Sequence, residues 1–298
     1  MLELLEKCRL CPRDCKVNRK QEKKGFCRAG YYPRVARAAL HFWEEPCISG
    51  SRGSGTVFFS YCSLGCVFCQ NYEISREHIG QDITIERLGR IFLELQQQGA
   101  HNINLVTPTH YVPQIIKALR SAKSNGLIIP VVYNSSGYET VETIRLLEKH
   151  IDIYIPDMKY FDEKYSQKYS HAPDYFKIAV KAVGEMVRQV GPPVFDSNGL
   201  ILKGVIVRHL MIPGLMFDSK KVIDYLYKTF GNHIYLSIMN QYTPLKSVKE
   251  YPELNRTLNP GHYEALIEYA AGLGIENAYI QEGETAKESF IPPFNQIL

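Results

Sequence analysis

Three cysteines, Cys62, Cys66 and Cys69, crowd one short stretch, Tyr61-Cys62-Ser63-Leu64-Gly65-Cys66-Val67-Phe68-Cys69-Gln70-Asn71. Packing alone does not explain three thiols at this spacing; they bind metal or form strained disulfides. No secretory signal opens the chain, so a cytosolic setting is expected, and there disulfides rarely persist. Metal is the favoured reading. Structural zinc asks for four ligands, and no fourth Cys or His lies within short reach of Cys69. An iron-sulfur cubane usually takes four cysteines as well, so three would leave one iron open to a small ligand.

The chain has 298 residues, 45% hydrophobic and 22% charged, which excludes wholesale disorder and allows one large α/β domain or two small ones. No apolar run approaches the roughly 20 residues of a membrane span, so no membrane association is expected. The net charge of +4 is uneven. Residues 1–37 hold 11 Lys/Arg against 4 Asp/Glu. In the same stretch lie Cys8, Cys11, Cys15 and Cys27, spaced as a closed site for zinc or a second iron-sulfur cluster, with a structural role preferred to electron transfer. Residues 1–50 are therefore read as a Cys-rich segment and 51–298 as the main domain. Cys47 is taken as a buried or incidental thiol.

From Thr56 onward, short apolar runs alternate with amphipathic stretches. Strands are predicted at 56–61, 102–107, 127–133, 151–155, 203–212 and 233–239. Helices are predicted at 84–98, 113–125, 139–149, 173–190 and 218–230, with a last one opening at Asn259-Pro260. Six such units give an α/β fold, an open, partial (β/α)6 TIM-like barrel with a small N-terminal Cys-rich segment. In barrels of this kind chemistry sits at the C-terminal strand ends, where the cysteine loop falls.

The Cys-x3-Cys-x2-Cys pattern, with Phe68 before the last cysteine, resembles the radical S-adenosylmethionine (SAM) superfamily. Asp157-x-Lys159, with Ile206-Val207-Arg208-His209-Leu210-Met211-Ile212-Pro213-Gly214, resembles its glycyl-radical activase branch, that of the pyruvate formate-lyase activating enzymes. The resemblance implies a [4Fe-4S] cluster on Cys62, Cys66 and Cys69, with SAM chelated at the open iron. It carries over Asp157, Lys159 and Arg208 as catalytic-site residues, with Phe68, Asp157 and Arg208 as cofactor contacts. Asn71, Thr107 and Asn134 are candidate cofactor contacts from their polar places on the cysteine loop and strand ends, the Asn134 turn being equally a loop that caps the next helix. The Gly-Gly-Glu turn common in the family is absent; Thr107, Thr109 or nearby carbonyls are candidates to replace it. His110 is read either as a substrate contact or as a capping histidine. Arg208 and His209 alternate along a strand, so only one faces inward, and Arg208 is favoured.

The implied chemistry is reductive cleavage of SAM and hydrogen abstraction from a protein glycine. RNA or a small metabolite is the alternative substrate, and a zinc-binding interaction module is the non-enzyme reading. A flavodoxin- or ferredoxin-type reductant is expected, docking on the basic segment at Lys16, Arg19, Lys20, Lys23 and Lys24. The chain is expected to be a cytoplasmic monomer. Nucleic acid enters through the Lys-Tyr pairs at 159–160, 164–165 and 168–169, for which a solvated helix is the preferred reading.

Overall fold

The computed structural model describes residues 1–281 and Phe294. Its strands are β1 (Arg34–His41), β2 (Ser54–Phe59), β3 (Gln81–Asp82), β4 (Ile103–Val106), β5 (Val131–Ser135), β6 (Ile153–Pro156), β7 (Val194–Phe195), β8 (Ile201–Leu210), β9 (Tyr235–Met239) and β10 (Ala278–Ile280). They form one sheet in the order β10-β9-β8-β6-β5-β4-β2-β1-β3, with β7 beside β8. From β2 to β10 along this path every pairing is parallel. The path does not close, as an open, partial barrel requires.

Helices cover the outer face because each carries an apolar stripe of helical period. In Ile85–Gln97 the residues Leu88, Ile91, Phe92 and Leu95 are buried, and the Thr84 side chain accepts from the Arg87 amide at 3.1 Å. Asn259 caps Pro260–Gly272 in the same way. The sheet's other face is set by the two-residue period of strands. Val132, Ile155 and Ile206 share an apolar cluster with Cys47 and Ile48. Two residues further along each strand stand Asn134, Asp157 and Arg208. A dry floor thus gives way to a polar rim at the C-terminal ends.

Three boundaries differ from the sequence reading. The apolar run 127–133 enters the sheet only at Val131, since Pro130 has no N–H for the ladder. Before it, the Ile128 and Ile129 amides donate to Gln96 Oε1 at 2.8 and 3.2 Å, and Ile128 is 86% exposed. The helix expected at 139–149 shortens to Val141–Leu146, capped by Thr140, while Glu139 turns into the core. The N-terminal segment does not run to residue 50, because β1 pairs antiparallel with β2 and belongs to the main sheet. Only residues 1–33 lie outside it, with two 3-10 turns, Leu2–Leu5 and Arg19–Gln21. The stretch Glu163–Ser170 is a helix; Lys168 pairs with Glu253 at 2.6 Å, and Tyr169 is buried. No described helix is long and apolar enough to cross a membrane.

Candidate functional site

The polar rim closes around a cavity of about 410 Å³. Cys62, Cys66, Cys69, Phe68, Asn71, Thr107, Asn134, Asp157, Lys159 and Arg208 all line it. The fold therefore brings these ten residues of the cysteine loop and the strand ends to one cavity. Its size falls in the roughly 300–1,000 Å³ range of small-molecule sites.

The cysteine loop follows β2 through a left-handed residue, Tyr61 at φ 76°, and Thr107 after β4 has φ 57°. Such conformations cost a non-glycine residue roughly 1–3 kcal/mol and persist only where surrounding contacts hold them. Here the Tyr61 amide donates to Ile74 O at 2.8 Å and the Thr107 amide to Asn134 O at 2.9 Å. Gly137 closes the turn after β5 at φ 74°, where a Cβ would stand 2.2 Å from the Asp157 carbonyl oxygen. Only glycine lets β5 and β6 end this close together. Tyr175 finishes the junction: its hydroxyl donates to Ser136 O at 2.8 Å and accepts from the Lys159 amide at 3.0 Å.

The thiols are prepared to carry negative charge. The Leu64 amide donates to Cys62 Sγ at 3.4 Å and the Ser170 hydroxyl to Cys66 Sγ at 3.0 Å. Burial nevertheless pushes the Cys66 thiol up to about 12, against the pull of Lys159. A bound cation is what would make the thiolates favourable, so the donor set fits a thiolate-ligated metal group. Lys159 itself forms an ion pair with Asp157 at 2.6 Å. Burial lowers the Lys159 pKa and Asp157 and Cys66 raise it; the rise prevails, so the ammonium stays charged.

Arg208 points into the cavity, and its guanidinium is held there by two carboxylates that sequence reasoning missed. It donates from Nε to Glu45 Oε1 at 2.8 Å and from Nη2 to Glu45 Oε2 at 2.5 Å and to Glu44. No local pattern marks Glu44 or Glu45; they meet Arg208 only because β1 and β8 deliver them to one rim. Burial pushes Glu45 up, but Arg208 outweighs it and holds the carboxyl below its ordinary range. His209 lies on the opposite face, buried, with Nδ1 2.7 Å from Met158 O.

His110 does not reach the cavity. It is 1% exposed, its Nε2 lies 2.8 Å from Ser60 O, and burial lowers its pKa to about 3. Thr109 is also turned inward, donating to Glu139 at 2.7 Å. Of the basic residues expected to meet a reductant, Arg19 is buried and unavailable.

The sequence pattern of the Radical SAM superfamily matches residues 56–226, from β2 through most of the barrel. The chain belongs to the radical SAM superfamily. It is also 31% identical over 290 residues to an uncharacterized protein of Methanocaldococcus jannaschii, across 93% of this chain and 78% of that one. Two solved structures have similar folds. Streptococcus suis SuiB bound to precursor peptide SuiA has a TM-score of 0.50 at 15% identity, covering 74% of this chain and 46% of SuiB. The FeFe-hydrogenase maturase HydG from Carboxydothermus hydrogenoformans has a TM-score of 0.50 at 14% identity, covering 79% and 55%. The chain spans about half the length of these two, and at such identity the likeness concerns fold alone. Radical SAM membership implies a [4Fe-4S] cluster and SAM.

Proposed function

We propose that this radical SAM chain is a glycyl-radical activase, taking a hydrogen atom from a glycine of a partner protein. The observation that carries the reading is the convergence of Cys62, Cys66 and Cys69 with Asp157, Lys159 and Arg208 on one cavity. When bound, the cluster and SAM would supply reductive cleavage of the sulfonium, with one electron from the external reductant, and through it the power to take a hydrogen atom from a substrate.

The chain's own residues bind and orient. Cys62, Cys66 and Cys69 hold the iron. Lys159 keeps a fixed positive charge beside Cys66, and Asp157 holds that ammonium at the cavity wall. Asn134, Ser135 and Ser136 present a polar strand end suited to a ribose or carboxylate. Phe68, braced by Tyr160 and Tyr242 at centroid distances of 6.3 and 6.1 Å, offers an apolar surface to the adenine. Arg208, committed to Glu44 and Glu45, holds two carboxylates in the cavity; these offer acceptors for the SAM amino group in place of the absent Gly-Gly-Glu turn. The activase assignment draws on the Asp157-x-Lys159 and Arg208-His209 sequences, and the reductant in this reading is a flavodoxin or ferredoxin.

The test is anaerobic reconstitution with iron and sulfide, reduction with SAM present, and assay for 5′-deoxyadenosine, comparing the intact chain with Cys66→Ala. Product from the intact chain alone supports the radical chemistry. A reducible cluster that does not bind SAM would overturn it. A glycyl radical signal in a co-purified protein supports the activase reading; product formed only with RNA or a small metabolite would replace it.

A further inference from the structure

Cys8, Cys11, Cys15 and Cys27 lie outside the cavity, in a segment whose apolar cluster is small, centred on Leu5, Cys8 and Leu10. Its backbone brings the four together. The Lys16 amide donates to Cys8 O at 2.9 Å and the Cys8 amide to Val17 O at 3.0 Å, folding Cys8 back beside Cys15. Gly25 packs on Cys15 so closely that a Cβ there would stand 2.7 Å from its sulfur. The Cys11 carbonyl accepts from the Asp14 amide at 3.1 Å, so Cys11 and Cys15 stand on one tight turn.

Cys15 Sγ accepts from the Phe26 amide at 3.3 Å, which draws the Cys27 stretch of the segment against it. Cys62 in the cysteine loop accepts from the Leu64 amide in the same way. Such a bond is strongest when the acceptor is ionised, as a metal-bound sulfur is.

Arg19 supplies the independent observation. It is 1% exposed, and among the described residues it forms no ion pair with a carboxylate. Its guanidinium meets neutral carbonyls, Gly30 O at 3.0 and 2.6 Å and His110 O at 2.5 Å, and stands 4.0 Å from Cys8 Sγ. A buried charge without a counter-charge is strongly destabilising. The neighbour in contact that could supply one once ionised by a bound metal is Cys8, whose Sγ stands 4.0 Å from the guanidinium.

We propose that Cys8, Cys11, Cys15 and Cys27 bind a single zinc ion as a tetrathiolate, with Arg19 as its buried counter-charge. One tetrahedral ion, with sulfur at roughly 2.3 Å, suits four thiols on backbones this close and completes the four-cysteine set of a structural zinc site. Among the described residues no three potential ligands already form a closed cage. This holds equally for Cys62, Cys66 and Cys69, which carry the superfamily's cluster motif; protonated thiols have nothing to converge on. The ion would order a segment with too few apolar residues to order itself. It is independent of the activase reading.

Metal analysis of the full chain tests this. A Cys62→Ala/Cys66→Ala/Cys69→Ala variant is expected to lose its iron and retain about one zinc per chain, and cobalt substitution should give sulfur-to-metal charge-transfer absorption. Cys8→Ser/Cys27→Ser should lower zinc at least about tenfold, and Cys47→Ser should leave it unchanged. If the Cys8/Cys27 variant fails to fold, the cluster-loop variant decides alone. Iron with sulfide in that variant would overturn zinc in favour of a second cluster. A folded variant that binds no metal would overturn the site altogether.

Discussion

Arg13 Nε donates to the Ser63 carbonyl at 3.0 Å, joining the loop between Cys11 and Cys15 to the loop between Cys62 and Cys66. The same guanidinium reaches Leu64 O and Ser170 O, each at 3.0 Å, and His171 O at 2.5 Å, and stacks 3.9 Å from the Phe26 ring centroid. It therefore ties the N-terminal segment, the cluster loop and the end of helix Glu163–Ser170 into one unit.

Arg13→Ala is expected to destabilise the chain by about 2 kcal/mol, the scale of losing charged hydrogen bonds to carbonyls. It should also speed the loss of iron from the reconstituted protein to a chelator. Arg13→Lys should recover little, since an ammonium lacks the planar fork that serves several carbonyls. Iron release at the parent rate would show that the clamp does not hold the loop.

Lys159 and Asp157 pull the electrostatics of the cysteine loop in opposite directions. Lys159→Met removes a positive charge beside Cys66 and Cys69, so the cluster's midpoint potential should become more negative. Asp157→Asn leaves the ammonium unopposed and should move it the other way. Shifts of the same sign in both variants would rule out a charge effect.

The Arg208 cluster is predicted to be strongly non-additive. Arg208→Ala strands two buried carboxylates and should cost about 3–5 kcal/mol. Adding Glu44→Ala and Glu45→Ala to it should recover much of that loss, read from urea unfolding midpoints. SAM affinity, measured in the reconstituted protein, should fall in Glu45→Ala if the carboxylates receive the amino group.

Glu139 gives the core a pH dependence of its own. Burial pushes its carboxyl up to about 7 from an ordinary 4.5, partly offset by bonds from Thr109, Ser135 and Tyr133. As pH rises, the unfolded chain ionises first, so Glu139's contribution is full below about 4.5 and lost by about 7. The loss amounts to roughly 3 kcal/mol. Glu139→Gln should be less stable than the parent at pH 4 and equal or better at pH 7.5. Parallel stability curves for the two proteins would show that Glu139 does not titrate in this window.

The sequence by itself determined what is encoded within a few residues. Cysteine spacing marks the cluster loop, and apolar periodicity with caps such as Thr84 and Asn259 marks the helices. Strand alternation puts Arg208 and His209 on opposite faces. Local signals fail where a distant partner decides. Gln96 holds Ile128 and Ile129 out of the sheet, and Ser60 and Arg19 take up His110, deciding between the substrate contact and the capping histidine that the sequence left open. Only the tertiary structure sets Glu45 on Arg208, 163 residues away, and Arg13 on Leu64, 51 residues away. Both contacts depend on sheet order and loop docking, so they arise from the summed packing of the whole barrel and leave no periodic trace in the chain.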